Sequence, residues 1–244
     1  MMLLTSSFVL RIFCLFAVFW MGIAEKLTER NSRVIANVQS LIDRVMQRAG
    51  ISYSFRPKME ITTSVHDTDL FEIASDSKNV IFRGSSGVAL SAAFGYYVRY
   101  FLNCDFHWQN GGDYSFENFP TSLSEIPIPK GVTRVPFIAK YRYYQNTCTA
   151  SYSFAWRDWT SWEQEIDWMA MSGINLPLAF TGQEIVWAKL WKSYGVSQSG
   201  VDSFFTGPAF LAWNRMSNIR GFGGPLPASF IDKQVENKTI ILLI

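Results

Sequence analysis

Apolar residues recur at Val34, Ile35, Val38, Leu41, Ile42, Val45 and Met46. That spacing places them on one face of a helix. Gly50 follows at the position where a helix end turns left-handed. Ile51 to Phe55 reads as a strand, and Phe71-Glu72-Ile73 and Asn79 to Arg83 as two more, with Asp76-Ser77 as turn chemistry between them. Gly84-Ser85-Ser86-Gly87 then opens a run of helix formers from Val88 to Phe101, and Cys104 to Trp108 returns to a strand pattern. A glycine turn before a helix can cradle a phosphate. This one lacks the Lys-Ser/Thr of a Walker loop and the third glycine of a dinucleotide fingerprint, so a plain strand-to-helix turn is expected. One sheet with helices packed on it accounts for the region.

Pro120, Pro127, Pro129 and Pro136 stiffen the next stretch, which reads as a connector between domains. Beyond residue 140 the order becomes strand, helix, strand, helix. Tyr141 to Gln145 is the first strand. Thr160-Ser161-Trp162-Glu163 matches a capping box opening a helix, with Trp159, Trp162, Ile166, Met169 and Ala170 on one face and Gly173 at its end. Ile174 to Phe180 is almost wholly apolar, as for a parallel strand covered on both faces. Thr181-Gly182-Gln183-Glu184 reads as a second capping box, whose helix ends before Gly195. This alternation suits a (β/α) barrel or a doubly wound sheet.

The N-terminus has its own pattern. Ile12 to Met21 is an unbroken apolar run after Arg11, and Gly22-Ile23-Ala24 precedes Glu25-Lys26. A charged start, a short apolar core and small residues before a cleavage point describe a secretory signal peptide over residues 1–24. A membrane anchor is the rival reading. Ten residues at 1.5 Å per residue span about 15 Å, half of a hydrocarbon core, so no stable anchor is expected. Removal of the segment leaves Cys104 and Cys148 in a compartment that permits disulfides. Their spacing does not say whether they pair.

Composition narrows the function classes. The 244 residues are 48% hydrophobic, 16% aromatic and only 17% charged, with a net charge of +2. Without a basic stripe, no nucleic-acid partner is expected. Two His and three scattered Cys offer no zinc spacing. The acids of the second half are Asp158, Glu163, Glu165, Asp167 and Glu184. Glu163 and Asp167 stand one helical turn apart and read as a solvated face near a helix N-terminus. Glu184 lies just past the second strand, where a barrel places its chemistry, but its capping-box position explains it without catalysis, and the cap is the favoured reading. Nucleophilic catalysis by Cys148 needs a nearby base, and His66 and His107 both belong to the first half. Seven of the nine Trp fall between Trp156 and Trp213. Indoles offer flat apolar faces suited to sugar rings. Trp162 reads as core, whereas Trp213, in Gly207-Pro208-Ala209-Phe210-Leu211-Ala212-Trp213, is open to ligand contact or packing.

Several long segments carry a more specific signal. They are Tyr141-Arg142-Tyr143-Tyr144-Gln145-Asn146-Thr147-Cys148-Thr149, Trp162 to Ala170, Gly173 to Ala179, Thr181 to Glu184 and Phe204 to Trp213. Arg83 to Ala89 and Tyr96-Tyr97 add a weaker match in the first half. Together they closely resemble the alpha-N-acetylglucosaminidases of glycoside hydrolase family 89. The resemblance implies a small α/β N-terminal domain over 25–130 and the first part of a (β/α)8 TIM-type barrel over 135–234. It implies hydrolysis of terminal α-linked N-acetylglucosamine from heparan sulfate, with retention, by two glutamates and no cofactor or metal. Asn146, Cys148 and Trp213 match positions lining the sugar pocket. By the same resemblance the catalytic glutamates belong to later strands, so this chain holds no catalytic residue and is expected to be inactive alone. A barrel needs eight strands, and two cannot close. A truncated barrel with open edges is therefore expected to self-associate. Residues 235–244 read as an unmatched tail containing a formal sequon at Asn237-Lys238-Thr239. The secretory pathway, ending in the lysosome or outside the cell, is the expected location. Two alternatives remain: a secreted non-catalytic carbohydrate-binding module built on the Trp-rich segment, and a first region that folds alone as an interaction domain.

Overall fold

The structure, a computed structural model, describes residues 6–76, 78–107, 114–152, 154–178 and 182–231, with side chains from Glu25 onward except at 114, 115 and 150. Ser77, Trp108, Ala179 to Thr181, the sequon and the tail therefore lie outside the described residues. The chain divides into two compact units, one of residues 1–104 and 117–138, the other of residues 105–116 and 139–244.

The first unit opens with α1 (Ser6–Arg48). Its stripe behaves as the spacing predicts: Val38, Leu41, Ile42, Val45 and Met46 are buried. Gly50 adopts a left-handed φ of 74°, and Ile51 N–H returns to the Met46 carbonyl. Among the described residues no helix is long and apolar enough to cross a membrane. Ile51 to Phe55 is not a strand. Phe55 instead plugs the core, stacked on Tyr97 at 5.9 Å, while its carbonyl accepts from Gln39 Nε2. The first strand is β1 (Lys58–Ile61), followed by β2 (Leu70–Ser75) and β3 (Val80–Gly84), and then α2 (Gly87–Tyr100).

The sheet has four strands, and its fourth comes from the proline-rich stretch. Two short paired strands, β4 (Asp105–Phe106) and β5 (Tyr114–Ser115), belong to the other unit. β6 (Thr133–Pro136) then pairs antiparallel with β2, giving the order β1-β3-β2-β6. Residues 120–136 are thus not a free connector. The Tyr53 hydroxyl donates to Pro120 O, Tyr97 to Pro127 O and Ser75 to Pro129 O. Proline carbonyls keep full acceptor strength although the ring removes the donor, so side-chain hydroxyls can strap this stretch down.

One sheet face carries Ile73 and Phe82, both fully buried. The other carries a charge ladder in register: Glu60 opposite Arg83, Arg83 opposite Glu72, Glu72 opposite Arg134. Arg83 Nε lies 2.6 Å from Glu60, and Arg134 Nε 3.5 Å from Glu72. Alternating signs reward this register, since a one-residue slip would put these charges on the core face. At the β3–α2 turn, a Cβ on Gly84 would stand 2.6 Å from Leu90 N, so only glycine fits. Ser86 caps α2 by accepting from Ala89 N–H at 3.1 Å, and Ser85 Oγ donates to Asp69. The turn serves the helix and the sheet, as expected.

The second unit contains β7 (Tyr143–Tyr144), α3 (Trp159–Met171), β8 (Leu176–Pro177), α4 (Gln183–Ser193), α5 (Gln198–Phe204) and α6 (Leu211–Arg215). β7 and β8 are parallel, with α3 crossing between them. Asn175 fixes the start of the pair: its Oδ1 accepts from Arg142 N–H at 2.8 Å, and its Nδ2 donates to Lys140 O. Gly173, with φ of 78°, ends α3 as predicted. β8 is not covered on both faces; Leu176 and Pro177 are exposed. A strand buried on both faces needs a layer on each side, and among the described residues β8 pairs with β7 alone.

Asp76 makes the first unit's stability sensitive to acid. Lys58 ion-pairs with its carboxylate and Asn79 hydrogen-bonds to it, holding its carboxyl well below the usual range. A depressed carboxyl stabilises the fold above its unfolded pKa and loses that contribution as pH falls through its folded value. Asp76→Asn is therefore expected to flatten the loss of stability below about pH 4. Urea titrations across pH check this; an unchanged acid limb contradicts it.

Candidate functional site

The site grows from the carboxyl end of β7. Gln145 takes a left-handed φ of 76°, and Asn146 then caps a short 3-10 helix, Thr147–Ser151. Asn146 Oδ1 accepts from Cys148 N–H at 3.0 Å, from Thr149 N–H at 3.1 Å and from the Thr149 hydroxyl at 3.1 Å. Cys148 is half-buried on this turn and free of a disulfide, as is buried Cys104.

The same turn packs on α6. Ala212 N–H donates to Ser151 Oγ at 2.7 Å, and the Thr147 hydroxyl meets Met216 Sδ at 3.3 Å. Trp213 on α6 meets Tyr152 edge to face, with centroids 5.3 Å apart, and the Phe210 ring lies 6.3 Å from it. Ser151, Tyr152, Phe210, Trp213, Ile219 and Phe222 line an open, mainly apolar depression of about 590 Å³. The structure thus brings Trp213 and the turn bearing Asn146 and Cys148 together, but only Trp213 of the three lines this depression. Sequence reasoning singled out neither Tyr152 nor, within the Phe204-to-Trp213 segment, Phe210 as a lining residue.

Most of the other aromatic residues pack. Trp162 is buried against Phe154 at 5.1 Å, as expected. Trp187 and Trp191 close over a cluster of Val201, Phe205, Leu211 and Leu226. Gly207 belongs to the same region: a Cβ there would meet Gly223 O at 1.8 Å, so the two backbone segments can touch only at glycine.

Two sequence expectations about acids are overturned. The α3 cap is Asp158, whose carboxylate accepts from Ser161 N–H and Oγ; Thr160 is already inside the helix. Asp167 is buried at 1% exposure, so Glu163 and Asp167 do not form a solvated face. Glu165 is also buried and takes a 2.7 Å bond from Arg157, whose guanidinium lies over the Phe154 ring. Burial, reinforced by the Glu165 carboxylate, pushes the Tyr144 phenol upward, so it stays protonated.

Glu184 is not a cap either. Gly182 stands at the N-cap of α4, and Thr181 of the expected capping box lies outside the described residues. Arg215 grips Glu184 with Nε to Oε1 at 2.7 Å and Nη2 to Oε2 at 2.9 Å, and both side chains are 1% exposed. A forked pair is the arrangement that repays desolvation best. The sequence did hold a signal: Arg215 stands as a lone cation beside Leu211-Ala212-Trp213, and a buried cation needs an anion. Among the described residues no cluster of His, Cys, Asp and Glu has the makings of a metal site.

Arg215→Ala is expected to destabilise the unit by about 3–5 kcal/mol, because Glu184 would be left charged and unpaired. Replacing both residues together, Glu184→Leu with Arg215→Met, should recover most of that loss. Denaturation midpoints check both; a silent Arg215→Ala contradicts the burial of the pair.

Comparison with known proteins places the chain. The model of the alpha-N-acetylglucosaminidase N-terminal domain matches residues 36–123, and that of the alpha-N-acetylglucosaminidase TIM-barrel domain matches residues 142–243. The latter match continues past Gln234, where the resemblance read from the sequence stopped. Human alpha-N-acetylglucosaminidase is 47% identical over 159 residues, which are 63% of this chain and 20% of the human protein. A family 89 glycoside hydrolase from Clostridium perfringens in complex with PUGNAc aligns over 92% of this chain and 25% of its own, with a TM-score of 0.76 and 27% identity. The same bacterial enzyme, with two glutamates changed to glutamine and in complex with its substrate GlcNAc-α-1,4-galactose, aligns at a TM-score of 0.78 and 28% identity, over 92% of this chain and 24% of its own. The chain spans about one fifth to one quarter of the length of these relatives.

Proposed function

We propose, for this chain, which belongs to the alpha-N-acetylglucosaminidase family and matches its N-terminal part, that it forms one wall of a pocket for a terminal α-linked N-acetylglucosamine. The observation that carries the reading is the joint between the Asn146-capped turn and α6, which sets Trp213 beside an apolar depression. An indole face there suits the C–H face of a pyranose. Asn146 Oδ1 is already spent on the turn, so the group it offers a sugar oxygen is its Nδ2 donor. Cys148, half-buried on the same turn, adds a small, polarisable edge.

The wall does not supply the chemistry. Retaining hydrolysis needs two carboxyl groups about 5–5.5 Å apart, flanking the glycosidic bond. Asp158 is spent on a helix cap, Glu165 on Arg157 and Glu184 on Arg215. Each of these acids is thereby engaged in a structural contact. The family resemblance implies that the catalytic pair belongs to later barrel strands, and on that reading these 244 residues bind without turnover. The glycan is heparan sulfate or a similar chain ending in N-acetylglucosamine, and the apolar run Ile12–Met21 directs the chain to the secretory pathway and the lysosome. Exposed Tyr143 and Leu176 on β7 and β8 favour self-association through these short strands.

Incubation with an aryl α-N-acetylglucosaminide at acid pH is expected to give no release of the aryl alcohol, while ligand-observed NMR detects weak binding of methyl α-N-acetylglucosaminide that Trp213→Ala removes. Clear turnover contradicts the missing-carboxylate reading, and binding unchanged in Trp213→Ala contradicts the wall.

A further inference from the structure

Two glutamine side chains stand apart from everything used so far. Gln145 follows β7 directly, and Gln183 is the first residue of the helix that follows β8. The two strands are parallel neighbours, joined past their ends by Leu178 N–H to Tyr144 O at 3.1 Å. Both glutamines thus stand at the carboxyl end of the pair, where parallel α/β architectures place their ligands. In both, the amide Nε2 is shielded from solvent and finds no acceptor. An amide donor left in that state costs stability, so native folds seldom keep one without a use. Gln145 adds a second, independent oddity. Its left-handed φ of 76° is unfavourable for a side chain of this kind, and such strain gathers at binding sites.

We propose that Gln145 and Gln183 are sugar-contacting donors, each giving its amide N–H to an oxygen of the bound N-acetylglucosamine. The inference rests on the reading of Trp213 as a sugar-binding wall; the glutamines do not line the Trp213 depression, and they add donors at the carboxyl ends of β7 and β8. Neutral donors match hydroxyl and acetamido oxygens rather than a phosphate or carboxylate, because the nearby cation Arg215 is already held by Glu184. Both residues are only half-buried. Turning the terminal amide, a soft torsion, presents the donor to a ligand without disturbing the core.

Function and stability then pull in opposite directions at Gln145. Gln145→Met keeps the shape and a side chain on the same backbone but removes the orphaned donor. The melting temperature of the full chain should hold or rise, while the Kd for methyl α-N-acetylglucosaminide, read by ligand-observed NMR, should rise about tenfold. Gln183→Met should behave alike, and Trp213→Ala serves as the control for the pocket itself. A lower melting temperature in Gln145→Met, whatever its affinity, means that the protein itself uses the amide and overturns the proposal. An unchanged Kd, with binding still lost in Trp213→Ala, overturns it while leaving the wall intact. Absence of binding by the unaltered chain overturns both.

Discussion

The buried fork between Glu184 and Arg215 is the constraint on which the second unit depends. Each ion alone would be costly to hold at 1% exposure. Paired through two bonds, they tie the first turn of α4 to the last residue of α6. α6 spans only Leu211–Arg215, too short to be stable as an isolated helix. Its position is therefore a tertiary property, set at one end by Arg215 and at the other by Ala212 N–H on Ser151. Trp213 lies between these two anchors. A slide of the helix would strand a charge at one end and a backbone donor at the other.

The same economy runs through the polar groups nearby. Asn214 spends its amide nitrogen on the carbonyls of Phe204 and Ile219, holding the loop after α6. Asn146 spends its oxygen on the turn that carries Cys148. Asp158 spends its carboxylate on α3. These groups build the frame, and the surface the frame presents is aromatic and nearly uncharged. On the proposed reading, such a surface holds a sugar face and leaves bond cleavage to other residues. Membership of the alpha-N-acetylglucosaminidase family is compatible with that proposed role, since a barrel draws its functional residues from several strands.

How much was legible in the sequence followed the range of the interaction. Gly50, Gly173 and Ser86 announced helix ends because those signals act over a few residues. The Val38-to-Met46 stripe announced a core face for the same reason. The Thr160 capping box does not form because Thr-x-x-Glu also arises by coincidence; Asp158, two positions upstream of Thr160, offers the better acceptor. Glu184 was misread because its partner lies far along the chain in a segment that reads as apolar. Phe55 carried a strand-like pattern, yet the core needed a ring to stack on Tyr97 more than an extra edge strand. The proline-rich stretch looked like a linker because proline blocks helices, but it leaves carbonyls that Tyr53, Tyr97 and Ser75 can reach. For the site, the family motifs led to Asn146, Cys148 and Trp213. Tyr152, Phe210 and the orphaned glutamines needed the folded chain to be seen.

On the proposed reading, the sugar lies on the surface shared by the Asn146-to-Tyr152 turn and α6. A photoreactive α-N-acetylglucosaminide, crosslinked to the chain and mapped by mass spectrometry with free sugar as competitor, tests it most directly. The account predicts competed adducts within residues 145–152 and 207–216. Competed adducts confined to residues 25–104, or spread along the chain without competition, would contradict it.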